Sequence, residues 1–348
     1  MRHILAGVAT LALILLAGCG SSSNSSSATS AAASSNSSAA NSQKTVNLEL
    51  DYVPNPDDMG LYYAMSHGYF AKQGLTVDPH SPANIDTPLR LVATGSVELA
   101  LSYEPELYAA KAEGLPVIAV ASVIPVPLTC IASLQASGLS TPASLKGKTI
   151  AVDGTQTDSA ILSGVLKSAG LSLSDVKVVS ASANGVQDVL SGRVDADAAA
   201  FINYDAVEIQ EADNGRKPNC IDITQAGVPT FDEIVVAANS ERLASDPAYA
   251  ATVRKFVAGL VSGTKATLND RAGAEASIGK VAGLKPAFLK QSVNATFGVL
   301  TPPSGRPIGC LSEALWTTYG TWALRNKLIG TLPPVHTVIT NSYLPNSC

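Results

Sequence analysis

Tyr204 and Glu208 stand four residues apart in a stretch, 204–214, whose pattern predicts a helix, so the two side chains share one face. A carboxylate there can accept two parallel hydrogen bonds from a pair of neighbouring N–H donors on a planar group. The plainer reading makes Glu208 one more solvated helix charge, like nearby Glu211. Far upstream, Asp51, Tyr52, Asn55 and Asp58 crowd a turn that Pro54 and Pro56 stiffen. Asn55, Asp57 and Asp58 there either face a ligand or cap the helix that opens at Gly60. Ser102, Tyr103 and Glu104 end another strand and face the same side if the sheet is parallel. Gly154, Thr155 and Thr157 form a loop that either offers backbone N–H groups to an anion or serves as an ordinary strand-to-helix turn. Tyr52, Tyr103 and Tyr204 are the rings that could stack on a flat ligand, each such pair adding about 1 kcal/mol beyond burial.

Holding these groups opposite one another requires strands alternating with helices. Val46, Leu48 and Leu50 alternate along a strand over 45–51, and 60–73 predicts an amphipathic helix closed by Gly74. Strands over 75–80, 97–102 and 117–123 alternate with helices over 87–94 and 104–112. After Pro125 and Pro127 the pattern restarts, with strands at 149–153, 176–180 and 196–201 between helices at 158–169, 185–191 and 204–214. This order predicts an α/β protein with parallel, doubly wound sheets. A further strand over 231–238 and a largely helical tail suggest that the chain returns to its first unit. The expected organisation is two lobes joined by two crossings, 44–128 with 239–348 as the first and 129–238 as the second. Clefts between lobes are preferred small-molecule sites.

The chain opens with Arg2 and His3 and an apolar run over 4–16, too short to span a bilayer, then Leu16-Ala17-Gly18-Cys19. That pattern predicts a signal peptide over 1–18. Residues 19–43 are almost wholly Ser, Ala and Asn and read as a flexible tether. The remaining part carries modest net negative charge and no basic run, which excludes nucleic acid as an expected partner. Four further cysteines, Cys130, Cys220, Cys310 and Cys348, suggest two disulfides in an exported protein, and their long spacings speak against a metal site. Three pairings are open to them. Cys310 with Cys348, tying down the C-terminus, and Cys130 with Cys220 are favoured. The four histidines stand in no triad context, and no metal or cofactor is expected.

Several blocks together resemble one bacterial family. Leu50-Asp51-Tyr52-Val53-Pro54-Asn55, Gly68-Tyr69-Phe70, Leu101-Ser102-Tyr103-Glu104, Ser144-Leu145-Lys146-Gly147-Lys148, Asn203-Tyr204-Asp205-Ala206-Val207-Glu208 and Asn341-Ser342-Tyr343-Leu344-Pro345 are similar to the thiamine-pyrimidine-precursor branch of the ABC transporter substrate-binding proteins. The Gly-Tyr-Phe and Leu-Lys-Gly-Lys blocks belong to the wider superfamily, and the others narrow it. Residues 16–19 resemble a bacterial lipobox, which implies a lipid on Cys19. The resemblance implies a two-lobed Venus-flytrap of the type II periplasmic-binding-protein class, monomeric and held by that lipid on the extracytoplasmic face of the membrane. It would close on a small heteroaromatic ligand and deliver it to an ABC permease and its ATPase. In that reading Glu208 reads the aminopyrimidine edge.

Two departures from the family pattern matter. Tyr52 stands where Trp is frequent, and Pro56-Asp57-Asp58 replaces a segment commonly written Thr-Asn-His, so a more cationic ligand becomes plausible. Neighbouring branches suggest an alkanesulfonate, another organic anion or a flavin-like ring instead, but the blocks above contain no arginine. A pyrimidine synthase is the third reading. Eukaryotic relatives that build the pyrimidine use an active-site His and a Cys-rich motif, neither evident here.

Overall fold

The computed structural model describes residues 43–84, 87–181 and 184–348. The expected signal segment 1–18, Cys19 and all of the 19–43 tether except Gln43 lie outside the described residues. The first strand, β1 (Lys44–Glu49), buries Val46 and Leu48 completely, as its alternation requires. It leads through a single 3-10 turn, Pro56–Asp58, into α1 (Met59–Ser66). Then follow β2 (Leu75–His80), α2 (Thr87–Thr94), β3 (Leu99–Ser102), α3 (Glu104–Ala112) and β4 (Val117–Ile124).

The second sheet is built from β5 (Thr129–Ser133), β6 (Thr149–Val152), β7 (Lys177–Ser180), β8 (Ala196–Phe201) and β9 (Asn219–Asp222). Its helices are α4 (Gln156–Ser168), α5 (Gly185–Leu190) and α6 (Asp205–Ala212). The chain then returns as β10 (Ile234–Asn239) and finishes in α7 (Ser240–Ser245), α8 (Pro247–Thr267), α9 (Arg271–Gly279), α10 (Pro286–Phe297), α11 (Glu313–Arg325) and α12 (Val335–Val338).

The strand orders are β2-β1-β3-β10-β4 and β7-β6-β8-β5-β9. Neither sheet is purely parallel, contrary to the sequence expectation. β10 runs antiparallel to β3 and β4, and β5 runs antiparallel to β8 and β9. Strands β5 and β9 were not foreseen at all, because each is short and carries little alternation of its own. β10 also corrects the expected lobe boundary at 238: residues 234–238 pair within the first sheet, so the return crossing lies before Ile234.

Helix α8 packs against α1 at very close range, which glycine permits: a Cβ on Gly263 would overlap Ala64, and one on Gly60 would overlap Thr264. Behind the crossings sits α11, whose Trp316 and Tyr319 are fully buried in a core that takes residues from both sheets. Burial of side chains of this size contributes roughly 1.5–3 kcal/mol each. Asp232, on the return crossing, gathers Ser122 Oγ and Trp316 Nε1, each at 2.7 Å, together with the Arg306 guanidinium at 2.8 Å. Next to it, Glu233 Oε2 accepts the Leu128 N–H at 2.5 Å, so one carboxylate links the two crossings. Disulfides join Cys130 to Cys220 across the second sheet and Cys310 to Cys348 at the C-terminus, with Cα–Cα distances of 5.5 and 5.8 Å.

Candidate functional site

Two cavities of about 190 and 590 Å³ lie between the sheets and share Asp51, Tyr52, Tyr103, Asp153, Ala199 and Phe201, so they form one cleft. Together they suit a small organic molecule, whose sites run to roughly 300–1,000 Å³. Asp51 follows β1 and Asp153 follows β6, both at carboxyl ends of parallel strands, where α/β sheets hold their ligands.

Asp51 is the centre of the arrangement. It is 5% exposed, and its Oδ2 accepts the Tyr103 hydroxyl at 2.7 Å. Oδ1 is buried with no hydrogen-bond partner. Burial raises the Asp51 carboxyl above the ordinary range. Tyr52, beside it, leaves 55% of its surface exposed and lines both cavities, an aromatic face without a partner ring among the described residues. Tyr103 and Tyr204 also line the cleft, Tyr204 held edge-on by Phe288 of α10 at 5.0 Å between centroids.

The opening turn divides its carboxylates. Asp58 folds back so that Oδ2 accepts the Asn55 N–H at 3.2 Å, while Asn55 Oδ1 accepts the Asp57 N–H at 2.8 Å. This capping box turns Asp58 away from both cavities and leaves Asp57 to line the narrower one. Asn55 lines that cavity too, with one of its two amide N–H groups donated to Val53 O at 3.2 Å. Asp57 accepts a hydrogen bond from Asn203 of the opposite lobe. Burial, then repulsion from Asp51, pushes the Asp57 carboxyl up to about 7.

Four other expected residues, Ser102, Glu104, Gly154 and Glu208, also line neither of the cleft's cavities. Ser102 is committed to the β3 ladder. Glu104 is fully buried beneath the hinge, where Oε2 accepts the Asp232 N–H at 2.8 Å. Glu208 accepts the Gln187 amide at 2.8 Å. The helix begins at Asp205, one residue after Tyr204, and the carboxylate it contributes to the cleft is Asp205. Asp205 Oδ2 accepts the Phe201 N–H at 2.7 Å, and burial raises its carboxyl to about 6. Thr155 and Thr157 line the wider cavity, whereas Gly154 does not. Thr155 caps α4 in a box with Asp158, which places a carboxyl at the helix end where an anion was considered.

Sequence reasoning left Asp57 between ligand and helix cap, and missed Asp153, Asp158, Asp197, Asp205, Glu106 and Glu233 as lining groups. Asp197 carried a signal: it is the one charged side chain inside the alanine-rich strand β8. Its Oδ1 accepts the Ala199 N–H at 3.0 Å, and a Cβ on Gly185 would overlap its carboxylate, so α5 approaches it only because Gly185 has no side chain. Burial, then repulsion from Asp205 and Asp153, pushes Asp197 up to about 7. Burial lifts Glu233, at the floor of the wider cavity, to about 8. Among the described residues lining the cleft there is no Lys, Arg, His or Cys.

Residues 55–274 match the family described as NMT1/THI5 like. The chain is 34% identical over 196 residues to the formylaminopyrimidine-binding protein of Halalkalibacterium halodurans, covering 56% of this chain and 59% of that protein's length. It is 28% identical over 238 residues to a 4-amino-5-hydroxymethyl-2-methylpyrimidine phosphate synthase of Saccharomyces cerevisiae, covering 66% of this chain and 68% of the synthase. In fold it is similar to the alkanesulfonate-binding protein SsuA from Xanthomonas axonopodis pv. citri bound to MOPS, with a TM-score of 0.64 at 17% identity over 85% of this chain and 98% of that one. The architecture is that of the type II periplasmic binding proteins.

Proposed function

The chain belongs to the NMT1/THI5-like family, and from that premise we propose that it binds a small aminopyrimidine of the thiamine-precursor class in the cleft between its sheets, without transforming it. The observation that carries this reading is Asp51: a buried carboxylate with one oxygen unpartnered, beside the open face of Tyr52. An aminopyrimidine supplies donors for the first and a flat ring for the second. The relative from Halalkalibacterium, named for a formylaminopyrimidine, supports the same class.

The alkanesulfonate and other anion readings are disfavoured by charge. A sulfonate needs cationic or N–H donors, and this cleft turns Asp51, Asp57, Asp153, Asp197 and Asp205 toward its contents with no basic side chain among the described lining residues. The synthase reading draws on the yeast relative, but no His or Cys is among the described residues that line the cleft. On our reading the protein serves an ABC importer as its receptor, attached through a lipid on Cys19. No described helix is long and apolar enough to cross a membrane.

The test is thermal shift and calorimetry of the purified chain with aminopyrimidines, alkanesulfonates and flavins. Only aminopyrimidines should raise Tm. A sulfonate that binds while aminopyrimidines do not would end this proposal. Turnover of an aminopyrimidine precursor by the purified chain would end the non-catalytic part of it.

A further inference from the structure

The narrower cavity has a chemistry of its own. Its walls bring Asp51 and Asp57 from the first lobe against Asp197 and Asp205 from the second. Three of these carboxylates already have one donor each: Asn203 on Asp57, the Ala199 N–H on Asp197 and the Phe201 N–H on Asp205. Asp51 takes the Tyr103 hydroxyl on one oxygen and has nothing on the other, although the residue is 95% buried. Every carboxylate here is an acceptor when ionised.

Donors are scarce by comparison. The Asn55 amide gives one N–H to Val53 O and the Tyr103 hydroxyl goes to Asp51, leaving the second Asn55 N–H and the Tyr52 and Tyr204 hydroxyls as the side-chain donors among the described lining residues. A group entering this space gains by bringing N–H donors and positive charge. It loses by bringing a carbonyl oxygen, which would meet carboxylate oxygens. A primary ammonium has three donors and no acceptor.

We propose that the narrower cavity is an ammonium subsite, so that the preferred ligand is an aminopyrimidine with a free aminomethyl arm rather than the same ring with that arm N-acylated. The inference rests on the aminopyrimidine reading above and adds the charge of the substituent. The ring lies in the wider cavity against Tyr52, and the arm reaches between Asp51 and Asp197. Burial and mutual repulsion, which hold Asp57 and Asp197 up to about 7, fit a cluster short of a countercharge.

Two probes separate the possibilities: 4-amino-5-aminomethyl-2-methylpyrimidine and its N-formyl derivative, each titrated calorimetrically into the purified chain at pH 7.5. The free amine should bind about 10- to 100-fold more tightly, the worth of a hydrogen bond to a charged group. Asp197→Asn and Asp205→Asn should each remove most of that preference. If the formyl compound binds as tightly as the amine or more so, the ammonium subsite is overturned and the aminopyrimidine reading stands. If neither binds, that reading falls and the inference with it. The wild-type comparison decides the matter even if a variant fails to fold.

Discussion

Replacing Asp197 by Asn should make the ligand-free protein more stable at neutral pH while weakening its binding of a cation. Asp197 is buried in β8, and its carboxyl is pushed from an ordinary 3.8 up to about 7. Between those values the folded chain holds a proton that the unfolded chain has released. Linkage then gives stability that falls as pH rises, by up to about 1.4 kcal/mol per pH unit, and levels off above about 7. The full difference is about 4 kcal/mol at most. Asn never ionises, and its side-chain oxygen can still accept the Ala199 N–H that Asp197 now takes at 3.0 Å. The two proteins should therefore be closest in stability below about pH 4, and the variant should draw ahead through pH 5, 6 and 7. Urea denaturation at fixed pH values, without ligand, measures the gap. If the gap is the same at pH 5 and pH 8, Asp197 is not held protonated by its surroundings and the account of a strained acidic cleft is wrong. A gain in stability coupled to a loss of binding is the expected trade at a site built for a ligand rather than for the fold.

Other perturbations reach different parts of the machinery. Gly185→Ala forces a Cβ onto the Asp197 carboxylate and should cost about 1–3 kcal/mol in denaturant titrations, with weaker ligand binding. Tyr52→Ala, at a 55% exposed ring, should leave Tm nearly unchanged and lower ligand affinity by about 0.5–1.5 kcal/mol, read by calorimetry; a large fall in Tm would give the ring a structural role instead. Asn203→Ala removes the donor that spans from the second lobe to Asp57 and also the Thr296 contact at 2.8 Å, and should destabilise the protein by about 1–3 kcal/mol, measured by urea denaturation. Reducing the Cys130–Cys220 bridge opens a loop with a sequence separation of 90, so thermal unfolding with and without reductant should show a loss of about 2–5 kcal/mol.

The crossings between the sheets tie the acidic cleft to the rest of the fold. Glu233 both lines the wider cavity and accepts the Leu128 N–H of the other crossing, and Asp232 beside it is anchored to Trp316 and Arg306 of the C-terminal tail. The helical tail thus packs onto the two crossings, where Trp316 is held by both its burial and its indole N–H to Asp232.

What the sequence determined by itself was whatever depends on neighbours along the chain. The alternation of Val46, Leu48 and Leu50 specified β1, the run over 87–94 specified α2 to the residue, and two prolines marked the rigid turn where Asp51 and Tyr52 meet the cleft. Recurring blocks were enough to reach the family. The tertiary structure decided which of several adjacent polar residues faces a ligand. Asp57 and Asp58 are neighbours with the same chemistry, but a capping bond to Asn55 turns one inward to its own turn and leaves the other to the cleft. Asp205 and Glu208 share one short helix, and the packing of α5 against α6 gives Glu208 to Gln187 and Asp205 to the cavity. The antiparallel insertion of β10 beside β3 and β4 joins residues more than a hundred positions apart, a pairing that no local pattern encodes. A side chain's direction is set by the partners that reach it, which come from its own turn for Asp58, from a neighbouring helix for Glu208 and from the other lobe for Asp57.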